Sequence, residues 1–219
     1  MTERYIPALS YRWLTPLYDP VVAWATRERT FKSALLQQAN LQPGGRVLDL
    51  ACGTGTLTIA AQQAQPGAEI RGLDGDAAIL ARARAKARSA GAGLHFDEAM
   101  SDRMPYADAS FDVVLSSLFF HHLGRDAKPA TLREVHRVLK PGGWLHAAHW
   151  GKAANPLMRA AFILVQLLDG FETTDDNVAG RLPAFMVDGG IVEAAETRRF
   201  ATPLGTIALY RARKPGQEP

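Results

Sequence analysis

Gly53 and Gly55 stand one residue apart just after the aliphatic run Arg46-Val47-Leu48-Asp49-Leu50, and Leu57-Thr58-Ile59-Ala60-Ala61 follows them. Two glycines so spaced let a backbone turn sharply and approach a bound molecule, while a helix starting there aims free amide groups at the same point. Strand, tight loop and helix together form a cradle for a nucleotide-like ligand. Asp74 ends the run Glu69-Ile70-Arg71-Gly72-Leu73, about 20 residues past Gly55, the spacing at which a carboxylate accepts the hydroxyls of a ribose. The plainer reading of Asp74 is a solvated turn aspartate. His121 and His122 close a further apolar stretch, Leu118-Phe119-Phe120, where an imidazole can serve as a base.

The charge of the cradle selects its ligand. A dinucleotide loop has a third glycine three residues after the second, for close helix packing, but this chain has Thr58 there. Asp49 would also repel a diphosphate. It would attract a ligand that carries an ammonium and a sulfonium and no phosphate, and S-adenosylmethionine is such a ligand. Residues 46–57 resemble motif I of the class I S-adenosylmethionine-dependent methyltransferases. Met104-Pro105-Tyr106 before Phe111-Asp112-Val113-Val114, with Arg137-Val138-Leu139-Lys140-Pro141-Gly142-Gly143, resembles the branch that contains the ubiquinone and menaquinone biosynthesis C-methyltransferases.

The resemblance implies roles for individual positions. Asp49, Gly53, Thr54 and Gly55 would surround the methionine half of the cofactor, Asp74 the ribose, Ile79 the adenine, and Ser117 the amino-acid end. Where the family often has an acid or amide to accept the adenine amino group, this chain has Met100, which can pack on the ring. Ser101 can still donate through its backbone, and Asp102 is a substitute acceptor. The quinone enzymes carry an Arg-Asn pair where His121-His122 aligns, which argues against importing their substrate.

Methyl transfer from a sulfonium is an in-line displacement that needs chiefly an aligned nucleophile roughly 3 Å from the methyl carbon. A base helps when the acceptor is a carbon acid, phenol or thiol. His121 and His122 are the candidate catalytic residues, with His149 or Tyr18 in reserve; the plainer reading of the paired histidines is a structural one. Cys52 reads as a small packing residue. No metal-ligand set is assigned. Two functions stay open: a methyltransferase acting on a small or lipid-like acceptor and releasing S-adenosylhomocysteine, and a non-catalytic S-adenosylmethionine-binding module that works through a protein partner. Thr58 and Asp49 disfavour a third, a nicotinamide oxidoreductase.

These groups need a scaffold of alternating strands and helices. Strands are expected at 46–50, 69–74, 94–96, within 111–117 and at 144–148, with Asp76 capping the helix that carries Ile79 and Leu80. Leu132, Val135, Val138 and Leu139 form the apolar stripe of another helix. Asn155-Pro156 starts a helix that stops at Gly170. Residues 196–200 and 206–211 are joined too closely for a parallel crossover and must form an antiparallel hairpin. The fold class expected is α/β, a Rossmann-like doubly wound sheet of about seven strands, mostly parallel with that C-terminal hairpin. One domain is expected over 1–219, with a cap segment at 1–40, a cofactor-binding core at 41–150, a helical lid at 151–190 and the hairpin and tail at 191–219. Tyr11, Trp13 and Tyr18 of the cap either line a pocket or pack plainly.

Composition sets outer limits. The 219 residues, 47% hydrophobic and 21% charged, suit one soluble globule with a sizeable core. A net charge of +3 gives little reason to invoke nucleic acid, and Arg82, Arg84, Lys86 and Arg88 fan around their helix instead of forming a stripe. No membrane span is expected, although peripheral membrane contact stays open. A single cysteine and the absence of a signal-peptide layout lead to an expected cytoplasmic location. The oligomeric state is not legible.

Overall fold

The computed structural model describes residues 26–124 and 126–216. Tyr11, Trp13 and Tyr18 therefore lie outside the described residues. The elements are α1 (Glu28–Ala39), β1 (Arg46–Leu50), α2 (Thr56–Ala64), β2 (Glu69–Asp74), α3 (Ala77–Ser89), β3 (His95–Glu98), β4 (Phe111–Ser117), a 3-10 turn (Phe120–His122), α4 (Ala127–Val138), β5 (Leu139–Trp150), α5 (Pro156–Asp169), α6 (Phe171–Val178), α7 (Leu182–Asp188), β6 (Val192–Thr202) and β7 (Gly205–Arg213).

Seven strands form one sheet in the order β3-β2-β1-β4-β5-β7-β6. The first five are parallel, while β7 runs antiparallel to both β5 and β6. This is the doubly wound α/β sheet read from the sequence, hairpin included. The chain reverses its direction of winding between β1 and β4, and in such sheets the ligand crevice opens beyond the carboxyl ends of the strands at that point.

The pleat of β1 explains how its residues divide. Leu48 and Leu50 face a core shared with Phe111, Val114, Leu132, Val135 and Tyr210. Val47 faces the opposite core, with Phe31 and Leu35 of α1 and Leu57 and Ala61 of α2. Asp49 shares the side of Val47, since alternate residues of a strand share a face. A carboxylate thus occupies a core position of the central strand, paired with Gly72 of β2 and Leu115 of β4. Phe31 and Leu35 are fully buried, each stabilising the α1 contact by about 1.5–3 kcal/mol.

Local signals define the helix ends that matter. Asp76 Oδ1 accepts from the backbone N–H groups of Ala78 and Ile79, starting α3. Asn155 Oδ1 accepts from Met158 N at 2.9 Å, with Pro156 in the first turn of α5. Gly170, at φ 95°, ends that helix. One expectation is corrected. The strand expected at 144–148 begins at Leu139, which pairs with Phe111 before the register shifts, so Pro141-Gly142-Gly143 lies within an irregular strand. Arg137 reinforces this region by binding Glu134, Asp108 and the carbonyls of Met104 and Tyr106.

Candidate cofactor and methyl-acceptor site

At the carboxyl end of β1 the backbone passes through three left-handed residues, Ala51 at φ 55°, Gly53 at 55° and Gly55 at 74°. A side chain on Gly53 would meet nothing within 4 Å, so this turn borders open space, whereas one on Gly55 would press on Phe96 and Ala83 beneath it. Gly55 is needed for packing and Gly53 for the backbone turn. Across the crevice, Leu118 at the end of β4 also has a positive φ, 53°. Two non-glycine residues in this conformation, each costing of order 1 kcal/mol or more, flank the winding reversal, and such strain collects at functional sites.

Asp74 ties the loop down. Its Oδ2 accepts from Gly53 N at 2.9 Å and its Oδ1 from Asp76 N at 3.0 Å. A carboxylate has about four acceptor positions, so these bonds leave room for further donors. Burial pushes the Asp74 carboxyl above its ordinary range, opposed by the two backbone donors.

Asp49 is only 1% exposed and accepts from the Thr58 hydroxyl at 2.6 Å. Burial pushes its carboxyl up to about 6, against the lowering effects of the Thr58 hydrogen bond and the more remote Lys32 charge. Cys52 is buried against Gly72, and burial raises its thiol far above its ordinary range, which suits a packing residue.

The remaining candidates for the cofactor rim the same edge. Thr54 and Ile79 are half-buried, as is Ser117 at the end of β4. Met100 is 49% exposed, and its sulfur lies 2.9 Å from where a side chain on Gly75 would begin. An exposed thioether beside a bare backbone suits the flat face of a purine. The Ser101 hydroxyl is engaged with Thr131 at 2.8 Å and buried, which leaves only its backbone for a ligand. The groups present fit S-adenosylmethionine: a buried carboxylate for a cation, a second carboxylate with acceptor capacity for a ribose, and an exposed sulfur for a purine.

Beyond β4, the 3-10 turn brings His121 and His122 to 3.9 Å between ring centroids, and His149 of β5 lies 5.3 Å from His121. His121 and His149 are buried. Burial pushes His121 well below its ordinary value, with His122, His149 and Lys128 adding to the effect. Burial alone takes His122 down to about 4. Both are therefore neutral near pH 7 and weaker bases than a solvated imidazole. His122, the less buried of the two, is the more accessible.

The roof of this region is built from α5 and α6. Phe162 meets Trp150 edge-on at 5.3 Å and is buried, so it packs into the core and forms no open wall. Lys128, at the start of α4, binds Asp176 of α6 at 2.9 Å, with side-chain exposures of 2% and 9%. Sequence reasoning missed this pair and the Thr58 bond, because partners far apart in the chain leave no periodic signal.

Residues 47–143 match the methyltransferase domain family. The ubiquinone/menaquinone biosynthesis C-methyltransferase UbiE of Burkholderia mallei is 34% identical over 133 residues, 60% of this chain and 54% of the relative. The chain thus spans about half the length of the curated relatives it matches. Among solved structures, the S-adenosylmethionine-dependent methyltransferase SibL superposes with a TM-score of 0.73 at 20% identity, covering 91% of this chain and 58% of that one. The [4+2]-cyclase SpnF superposes at 0.66 and 18% identity, covering 85% and 80%. No helix among the described residues is long and apolar enough to cross a membrane. Residues 47–143, a little under half of the chain, thus carry the match to the methyltransferase domain, and the sheet as a whole has the fold of the solved structures it superposes on.

Proposed function

We propose that this protein transfers the methyl group of S-adenosylmethionine to a small or lipid-like acceptor by direct in-line displacement. The observation that supports the reading is that β1 and β4 are neighbouring parallel strands whose carboxyl ends lead into the Gly53–Gly55 turn and towards the His121–His122 turn, with the Asp49 carboxylate buried in β1. When bound, the cofactor supplies an electrophilic methyl on a sulfonium. The protein's share of the work is placement and exclusion of water. Asp49 and the loop hold the amino-acid end, Asp74 receives the ribose hydroxyls, and Met100 and Ile79 flank the adenine. His122 accepts the acceptor's proton where there is one to lose.

The name of the 34%-identical relatives makes a quinol-type carbon acid the first acceptor to test. The paired histidines, as candidate bases, widen the panel to phenols, thiols and phospholipid amines. In this reading residues 1–40 act as the cap and 151–190 as the lid of a single domain that works in the cytoplasm. The deciding experiment is an acceptor screen scored by release of S-adenosylhomocysteine. Release with one class establishes the transferase and its substrate type.

A second reading rests on the similarity to SpnF, which is named for a cyclisation and not for methyl transfer. A fold of this kind does not by itself fix the reaction. Tight binding of S-adenosylhomocysteine with no release across the whole panel would favour the non-catalytic module that acts through a protein partner.

A further inference from the structure

Thr58 stands where a dinucleotide-binding loop has its third glycine, and it is fully buried. A β-branched residue with a hydroxyl is a poor choice for helix packing alone, since valine fills the same volume without a polar atom to satisfy. Its hydroxyl donates to Asp49 Oδ2 at 2.6 Å, and both groups are shielded from water. Hydrogen bonds to a charged acceptor in such surroundings are about twice as strong as neutral ones.

The other charged and titratable groups around Asp49 do little to hold its charge. Lys32, reaching in from α1, favours the ionised form only through space. Asp74 on β2 opposes it, and Cys52 in the loop is held protonated by its own burial. The residues paired with Asp49 on either side, Gly72 and Leu115, carry no charge, and α2 has no ionisable side chain. Thr58 is the direct hydrogen-bond donor in this set.

We propose that Thr58 is a positioning residue of the cofactor site, whose hydroxyl keeps the Asp49 carboxylate ionised and fixed beneath the glycine loop so that it can receive the ammonium end of the cofactor. This rests on the S-adenosylmethionine reading above. It gives the departure from the three-glycine pattern a purpose: the position spent on a small residue in a dinucleotide site is spent here on tuning a buried acid.

The test is the affinity for S-adenosylhomocysteine, measured by calorimetry between pH 5 and 9 on the full chain, for wild type, Thr58→Val and Thr58→Ser. The ammonium of the probe titrates alike in all three, so differences belong to the protein. In wild type the affinity breaks near pH 6, falling about tenfold per unit on further acidification, because a proton must leave Asp49. Thr58→Val moves that break up by roughly one unit, weakening binding about fivefold near pH 6 and about tenfold near pH 5 while leaving it unchanged at pH 8.5; Thr58→Ser restores the wild-type profile. A purely structural role would lower affinity equally at every pH. An unmoved break in Thr58→Val overturns the proposal. Titrating the Asp49 carboxyl carbon by NMR in the ligand-free protein, in Thr58→Ser and Thr58→Ala as well if Thr58→Val does not fold, reads the same shift directly. If wild type binds no S-adenosylhomocysteine at any pH, the cofactor reading fails, and a carboxyl that nonetheless titrates higher in Thr58→Ala shows that the Thr58 effect stands apart from it.

Discussion

Lys128 Nζ lies 2.9 Å from Asp176 Oδ2, joining the start of α4 to α6 by an ion pair almost wholly out of water. Arg181 reaches the other Asp176 oxygen at 3.6 Å, and the Lys128 ammonium lies 5.8 Å from the centre of the Phe185 ring. The pair ties the roof to the helix that follows the histidine turn.

A buried pair contributes little against a well-packed apolar substitute, but removing one partner strands the other charge. Lys128→Met should therefore destabilise the protein by about 3–5 kcal/mol, and Lys128→Met with Asp176→Leu should recover much of that loss. Denaturant unfolding measures both. A single variant as stable as wild type would mean that the pair is exposed to water in solution.

Asp74→Ala should weaken S-adenosylhomocysteine binding by about 1–3 kcal/mol, because an acceptor is lost and because Gly53 N loses its partner. Asp74→Asn keeps an acceptor oxygen and should fall between the two. Calorimetry on folded variants checks this, and unchanged affinity in Asp74→Ala would remove the residue from the site.

Acid should destabilise the protein through its buried imidazoles. His122 and His146 are both pushed down to about 4, by burial first and, for His146, by Arg211 as well. In the unfolded chain they take up protons near 6.5, so the stability they contribute is complete above that pH and is lost as pH falls from about 6.5 to 4. Asp49 acts in the opposite direction. Its folded value of about 6 exceeds the unfolded 3.8, so its contribution is present below about 4 and is lost as pH rises through 6, by at most about 3 kcal/mol. Stability profiles of Asp49→Asn and His146→Gln, each subtracted from wild type, should slope in opposite senses between pH 4 and 6.5.

The sheet was legible in the sequence because its signals are local. Apolar runs of five to seven residues gave the buried strands, Asp76 and Asn155 gave helix starts, and the short link before Thr206 required a hairpin. Polar pairs inside the core were not legible. Thr58 lies nine residues from Asp49 and on a different element, and Lys128 lies 48 from Asp176, so no period connects either pair. Pro141-Gly142-Gly143 has the composition of a turn, since glycine and proline punctuate chains, yet pairing on both sides draws that segment into β5. Candidate cofactor residues were proposed from type, spacing and family resemblance, while the burial that sets the basicity of His121 and His122 depends on packing that the sequence does not display.

The final prediction concerns acceptor choice. The cofactor edge carries family motifs, whereas residues 1–20 and α5 carry aromatic and apolar residues without one. On α5 the inward side packs through Phe162 and Val165, and the outward side leaves Leu157 at 79% and Leu167 at 67% exposed, with Ile163 between them. An apolar stripe of this kind in open water is costly, at roughly 25 cal/mol for each Å² left uncovered. An apolar acceptor would lessen that cost by covering the stripe. Deleting residues 1–20 should abolish methyl transfer and leave S-adenosylhomocysteine affinity within about tenfold, or 1.4 kcal/mol. Replacing Leu157 and Leu167 by Gln should raise KM for the acceptor more than it lowers kcat, since these side chains would bind the acceptor without touching the reacting atoms. Full activity in the truncated protein would return acceptor recognition to the loops around His121.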